Sequence, residues 1–401
     1  MEIQNLHISD LGRIVTGKTP RTTIPDNYGG NIPFLTPSDD LTYKHAPITA
    51  KTISELGLTE VKNCLLPQNS ICVSCIGSDL GKVVITNEKT VTNQQFNSII
   101  PNDDNDPDFI YYLMTIVGKQ LNNLSKTSTA VPIINKSTFS NFEIKIPKLE
   151  DQKKIAKVLS SFDDKIELNN RINHNLDQQA QALYKSWFVD FEPFKDKLYV
   201  ESELGMIPVG WRICSLGEVT EEIREKVGSR SDVRVLSPIT TGQLILSEEF
   251  FSKQVYSESI AKYLIVRPGD FAYNPARVNI GSLGLNEFTF DGCVSPVYVV
   301  FRCEKGYNNF FNLYRKREAF KDEVLSRSSG GVRQTLGYKD FSLIKLAYPP
   351  KEVVTSFNDV YDKLVHYQMS IEKENVFLAT QRDLLLPKLM TGELDLTELP
   401  C

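Results

Sequence analysis

The chain repeats itself once, at a spacing of roughly 200 residues, and this constrains its fold more than any other feature. Leu66-Pro67-Gln-Asn-Ser-Ile returns as Arg267-Pro268-Gly-Asp-Phe-Ala, and Ile76-Gly-Ser-Asp-Leu-Gly81 returns as Ala276-Arg-Val-Asn-Ile-Gly281. Ser128-Thr-Ala-Val131 returns as Ser329-Gly-Gly-Val332, and the strand-like phrase ending at Pro147 returns ending at Pro349. Markers in one order at nearly one offset are hard to obtain by chance. The period is too long for a solenoid repeat or a propeller blade. It describes two copies of a whole domain plus a connector, and hence a near-twofold internal symmetry.

The connectors carry heptads. Ile155, Phe162, Asn169, Leu176 and Leu183 recur every seventh residue, with Leu159, Ile166, Asn173, Ala180 and Trp187 as a second series. The same two series return 202 residues later, as Phe357, Leu364, Ile371, Leu378 and Leu385, and as Tyr361, Gln368, Asn375, Arg382 and Leu389. Seams alternating at three and four residues predict long helices that pair as a coiled coil. Asn169, Asn173, Gln368 and Asn375 weaken such a seam but can fix its register. A globular domain separates the two helices in sequence, so an antiparallel pair is expected, with one domain at each end.

A chain of 401 residues exceeds what one hydrophobic core usually supports. Short β-branched or aromatic runs bounded by Gly, Pro, Asn and Asp, such as ICVSCIG, GKVVIT, YLIVRPG and VSPVYVVF, predict strands. One helix is predicted in each copy, around 107–124 and 307–326. The fold class is therefore α+β: two mixed, strand-rich domains held apart by two long helices forming an antiparallel coiled coil. The boundaries are 1–148 for the first domain, 149–197 for the central helix, 198–349 for the second domain and 350–401 for the C-terminal helix. No apolar run reaches the length of a membrane span, and the N-terminus lacks a basic region followed by an apolar stretch. A cytoplasmic protein with reduced cysteines is expected. Cys72 and Cys75 form a CxxC, but with no second pair and no nearby histidines they read as buried thiols rather than a zinc site.

No catalytic signature survives inspection. Gly77-Ser-Asp-Leu-Gly81-Lys82 is one residue short of a phosphate loop, and Val83 stands where a metal-binding hydroxyl belongs. Tyr273-Asn274-Pro275-Ala276 only partly matches the Asn-Pro-Pro-aromatic motif of adenine methyltransferases. Asp108 with Glu143-Ile-Lys145 fits a loose nuclease pattern, but the second copy has Phe310 and Lys345 where the carboxylates belong. The four histidines are scattered, with His174 and His366 on the helices outside the seams. These observations favour a binding protein, with no catalytic residues and no metal ligands.

Two globular copies alternating with two helices resemble the specificity subunit of type I restriction–modification enzymes, along the whole chain. The specific phrases are Ala182-Leu-Tyr-Lys-Ser-Trp-Phe-Val-Asp-Phe-Glu-Pro-Phe194, closing the first helix, and Asp383-Leu-Leu-Leu-Pro-Lys-Leu-Met-Thr-Gly-Glu393, closing the second. The resemblance implies that each copy is a target-recognition domain reading one half of a bipartite target in double-stranded DNA. It implies that the helices set the unread spacer and dock two methyltransferase subunits, with motor–nuclease subunits joining for cleavage. S-adenosylmethionine, ATP and Mg would then be bound by those partners, and this chain would carry no cofactor. The rival readings are a coiled-coil scaffold binding only proteins, and the recognition portion of a fused restriction or methylation enzyme.

Net charge is −5, whereas DNA binding favours a basic footprint. The acidic excess sits on the helices, with five basic against nine acidic residues from 350 onward, and both domains are close to neutral. The densest basic stretch is Arg315-Lys-Arg317, Lys321, Arg327 and Arg333. Arg and Lys read guanine in the major groove, and Asn and Gln read adenine. The candidate DNA-contacting residues are Lys82, Gln94, Gln95, Asn135 and Lys136 in the first copy, and Arg277, Asn279, Arg327, Arg333 and Gln334 in the second. Inserting four residues around Lys195–Tyr199, between the first helix and the second domain, is expected to lengthen the unread spacer by about one base pair and to leave both half-sites intact.

Overall fold

The computed structural model describes residues 2–125, 133–250, 256–257, 259–328 and 335–394. Ser128–Val131, Ser329–Val332, Arg333 and Gln334 lie outside the described residues. The chain divides into two compact units, Met1–Ile172 with Ser370–Cys401, and Asn173–Met369.

The strands of the first unit are β1 (Ile3–His7), β2 (Gly12–Thr16), β3 (Tyr28–Leu35), β4 (Thr52–Ile53), β5 (Leu65–Leu66), β6 (Ile71–Ser74), β7 (Val83–Ile85), β8 (Thr90–Thr92), β9 (Phe96–Pro101) and β10 (Glu143–Pro147). They form two four-stranded sheets, in the orders β2-β9-β6-β7 and β4-β3-β8-β5, and a β1-β10 ladder. Strands β3 and β8 pair in parallel, and an isolated parallel bridge joins His45 to Ile85. Helices α1 (Glu55–Val61), α2 (Pro107–Ser125) and α3 (Lys136–Ser140) complete the domain, and α4 (Leu149–Phe188) leaves it. Strand alternation explains the core. Ile71 and Val73 face α2, joining Phe109, Leu113, Val117 and Leu121, whereas Cys72 faces the other way, onto Leu35, Val84 and Phe96.

The second unit contains β11 (Tyr199–Ser202), β12 (Gly205–Pro208), β13 (Arg212–Ser215), β14 (Thr220–Ile223), β15 (Arg234–Pro238), β16 (Leu244–Leu246), β17 (Leu264–Val266), β18 (Phe271–Tyr273), β19 (Leu283–Leu285), β20 (Gly292–Val294), β21 (Val299–Cys303) and β22 (Lys345–Tyr348). Its sheets run β14-β21-β18-β19 and β16-β15-β20-β17, with a β13-β22 ladder, so the first unit's topology recurs strand for strand. The parallel pair recurs too, as β15 with β20. The β11-β12 hairpin is extra. Helices here are α5 (Leu216–Val219), α6 (Ser247–Phe250), α7 (Asn308–Tyr314), α8 (Glu318–Arg327), α9 (Tyr338–Phe341) and α10 (Lys351–Thr391).

The single helix expected at 307–326 is two helices. Arg317 takes an extended backbone and caps a fresh start at Glu318. The break turns Arg315 inward, where its guanidinium donates to Leu283 O at 2.7 Å, to Gly242 O at 2.8 Å and to Asn312 Oδ1. The first-copy counterpart, α2, is unbroken and matches the expected 107–124.

Helices α4 and α10 run 40 and 41 residues. The seam positions named above are all buried or half-buried, while His174 and His366 are exposed. Each apolar seam residue fully buried contributes about 2 kcal/mol. Within the first unit the helices pair antiparallel: Asp163 meets Arg382, and Asn169 Nδ2 donates to Glu374 and to Asn375, both at 2.8 Å. Within the second unit the same sense holds, with Gln368 reaching Asn173 O while Phe357 packs on Phe188 at 4.7 Å between ring centroids. Helix α4 ends at Phe188, and Phe191 beyond it adopts the left-handed conformation; α10 ends before Gly392, which does the same.

Candidate nucleic-acid interface

Each unit builds the same loop constellation where its sheets end. In the first, a tight turn between β8 and β9 is closed by Phe96 N–H donating to Asn93 O. In the second, Tyr298 N–H donates to Ser295 O between β20 and β21. A second loop follows β6 or β18: Leu80 N–H donates to Gly77 O, and Ile280 N–H to Arg277 O. Ile134 N–H donates to Cys75 O and Leu336 N–H to Pro275 O, drawing in the segment before α3 or α9. The repeated glycines are explained here. Gly81 and Gly281 both have positive φ, and a Cβ on either would lie within 2.5 Å of a backbone oxygen, Gly118 O or Thr240 O.

In the first unit this edge gathers four of the expected residues. Gln94 and Gln95 form the tip of the turn; Gln94 Oε1 accepts from Thr19 Oγ1 at 2.8 Å, and Gln95 Oε1 accepts from Asn93 Nδ2 at 2.8 Å. Both amides are thereby oriented with their carbonyls held. Asn135 is exposed but works as a helix cap, its Oδ1 accepting from Thr138 N at 2.9 Å, and Lys136 is exposed beside it. Lys18 joins them unforeseen: its N–H donates to Thr92 O, and it shares with Lys136 an electrostatic influence on the Cys64 thiol, which burial nevertheless pushes up. The signal was Gly17-Lys18-Thr19, whose glycine lets the strap lie against the turn; a Cβ there would meet Asn93 O at 2.1 Å. Lys82 does not join this group. Its ammonium pairs with Asp79 at 2.7 Å and lines a separate cavity of about 330 Å³ with Lys119, Asn122 and Arg382.

In the second unit Arg277 is exposed and lines a cavity of about 440 Å³ with Ser237, Thr240, Asn274, Ser295 and Tyr298. Among the described residues it makes no ion pair, unlike most arginines of this unit. Asn279 sits half-buried in the single helical turn Val278–Ile280, apart from that cavity. Arg327 ends α8 and pairs with Glu323 at 2.9 Å. The basic stretch around it is largely neutralised: Lys316 pairs with Asp177 at 3.6 Å and Lys321 with Glu318 at 2.5 Å. Arg315 is partly buried, and burial pushes its guanidinium down to about 10.

The weak catalytic patterns are not assembled. Asp108 pairs with the buried Lys44 at 2.8 Å, while Glu143 and Lys145 lie on β10. Cys72 and Cys75 are buried, and burial pushes their thiols up to about 12 and 11. Among the described residues no group of three or more His, Cys, Asp or Glu side chains could hold a metal ion, and no helix is long and apolar enough to cross a membrane.

Comparison with known proteins agrees with this architecture. The family model for the type I restriction modification DNA specificity domain matches residues 2–178. The type I restriction enzyme MjaIX specificity subunit of Methanocaldococcus jannaschii is 31% identical over 98% of this chain and 93% of its own. The HindI specificity subunit of Haemophilus influenzae is 36% identical over 38% of this chain and 34% of its own. The crystal structure of a type I restriction–modification S subunit from M. genitalium shares the fold, with a TM-score of 0.54 at 16% identity over 97% of this chain and 96% of that one. With a relative this similar along nearly its entire length, the chain belongs to the type I restriction–modification DNA specificity family.

Proposed function

We propose that this chain is the sequence-reading subunit of a type I restriction–modification complex. Residues 1–148 and 198–349 act as target-recognition domains, each reading one half of a bipartite site in double-stranded DNA. The helices set the unread spacer and dock two methyltransferase subunits. S-adenosylmethionine, ATP and Mg are bound by those subunits and by the motor–nuclease subunits, so this chain acts without a cofactor of its own.

The observation that carries this reading is one loop scaffold built twice and tipped differently. The turns at 93–96 and 295–298 share their closing hydrogen bond, yet one displays Gln94 and Gln95 and the other Pro296 and Val297. A conserved frame with divergent tips suits two readers of two different half-sites. The candidates in the first domain are Gln94, Gln95, Asn135, Lys136, Lys18 and Lys82; in the second they are Arg277, Asn279 and Arg327, with Arg333 and Gln334 outside the described residues.

The test is binding of a specific duplex by the full chain with and without modification subunits, followed by exchange of 198–349 for the matching domain of a relative. The expected result is a shift of the cognate duplex in the presence of the partner, and a methylated motif altered in one half only. A chain that binds the partner but never discriminates duplexes would instead be a protein-only scaffold. A motif altered in both halves would rule out independent reading.

A further inference from the structure

The two copies of the turn differ in chemistry more than in geometry. Strand pairing places Ile71 opposite Ile99 and Phe271 opposite Phe301, and the closing bonds align Asn93 with Ser295 and Phe96 with Tyr298. Gln94 and Gln95 therefore occupy the positions of Pro296 and Val297. Val297 is 71% exposed, at the rim of the cavity that Arg277, Asn274 and Tyr298 also line. A single exposed valine needs no explanation by itself. This one is held on a short turn whose Pro296 fixes φ, beside Arg277, an exposed arginine that makes no ion pair among the described residues.

We infer that Val297 is a specificity-determining residue that reads the C5 methyl of a thymine in the half-site of the second domain. The inference rests on the DNA-reading function proposed above. On the major-groove edge of B-DNA the thymine methyl is the one apolar group, and small apolar side chains are what contact it. The glutamines at the same place in the first copy carry the complementary preference, since a Gln amide pairs with adenine N6 and N7. Arg277, on the neighbouring loop, supplies the charge that holds the turn against phosphate or guanine. One turn thus reads an adenine in one copy and a thymine methyl in the other, which makes the two half-sites unlike.

The experiment starts from the methylated motif of the host and the half assigned to the second domain by exchange. The full chain with its modification subunits is titrated with the cognate duplex and with duplexes in which each thymine of that half, on either strand, is singly replaced by deoxyuridine. This removes the methyl and leaves base pairing intact. One position should lose about fourfold in affinity, which at 1.4 kcal/mol per tenfold is about 0.8 kcal/mol, the magnitude of one buried methyl group. Val297→Ala, an exposed change that leaves the core untouched, should bind the cognate duplex with a similar loss and show no further loss on the deoxyuridine duplex. The inference is overturned if no replacement in that half weakens the wild type, if Val297→Ala responds to deoxyuridine as the wild type does, or if that half contains no thymine. Failure to discriminate the cognate duplex from a scrambled one would overturn the proposed function itself.

Discussion

Arg315 shows how far a residue's neighbours decide its role. In sequence it heads the densest basic run of the chain; in the fold it binds two carbonyl oxygens from other segments and is unavailable to a phosphate. Arg315→Ala should destabilise the second unit by about 2–4 kcal/mol, because it strands the Leu283 and Gly242 carbonyls. Urea unfolding reads this directly, and a variant as stable as the wild type would remove the argument. Glu60 offers a titration test. Arg21 side-chain and backbone donors hold its carboxylate down to about 2. A depressed folded pKa means that the ion pair's contribution is present above the ordinary carboxylate range and is lost as pH falls from about 4.5 towards 2. Carbon NMR of Glu60 should show no protonation at pH 4, and titration at an ordinary value would mean the pair does not persist in solution.

At the scale of elements, the two helices are held by different chemistry in the two units. In the first unit Asp163, almost fully buried, takes a hydrogen bond from Tyr112 of α2 and an ion pair from Arg382 of α10. Nearby Lys44, also buried, binds Asp108 and Ser160. In the second unit the corresponding packing is aromatic: Tyr184, Trp187, Phe188, Phe310 and Phe357 pack against one another. Removing one partner of a buried ion pair costs more than removing both, since the remaining charge stays desolvated. Arg382→Met should therefore cost about 3 kcal/mol, and Asp163→Asn combined with Arg382→Met should recover much of it. Additive losses in chemical denaturation would show that the pair is not coupled.

For the molecule as a whole, packing changes where a length change has to be made. The segment after α4 is part of the second unit's core, with Phe191 and Phe194 against Trp211 at 5.0 and 5.9 Å. Extra residues at Lys195–Tyr199 are therefore expected to bulge outward and leave the DNA spacer unchanged. A ruler would respond instead to seven residues, two helical turns or about 10 Å, added to the seams of both α4 and α10. Methylation-sensitive sequencing of each variant checks both statements. A spacer lengthened by the insertion at Lys195–Tyr199 would place the ruler outside the helices.

The repeat, the heptads and the family phrases were legible in sequence because each depends on local periodicity or on identity of residues. They sufficed for the α+β class, the strand-rich copies, the seam positions and the family. The sequence could not say which polar groups meet, since hydrogen bonds such as Arg315 to Gly242 and Leu283 join segments tens of residues apart. For the same reason α7 and α8 read as one helix, Lys82 stood among the candidates with Gln94 and Asn135 although it lines a separate cavity, and Lys18 went unnoticed. Helical periodicity fixed which residues turn inward along α4 and α10; only the tertiary structure decided that Asn169 would face Asn375 and that Gln95 and Val297 would share one place in two copies of a turn. Periodicity is written in a dozen consecutive residues, whereas a site is assembled by loops whose meeting point is set by the sheets beneath them.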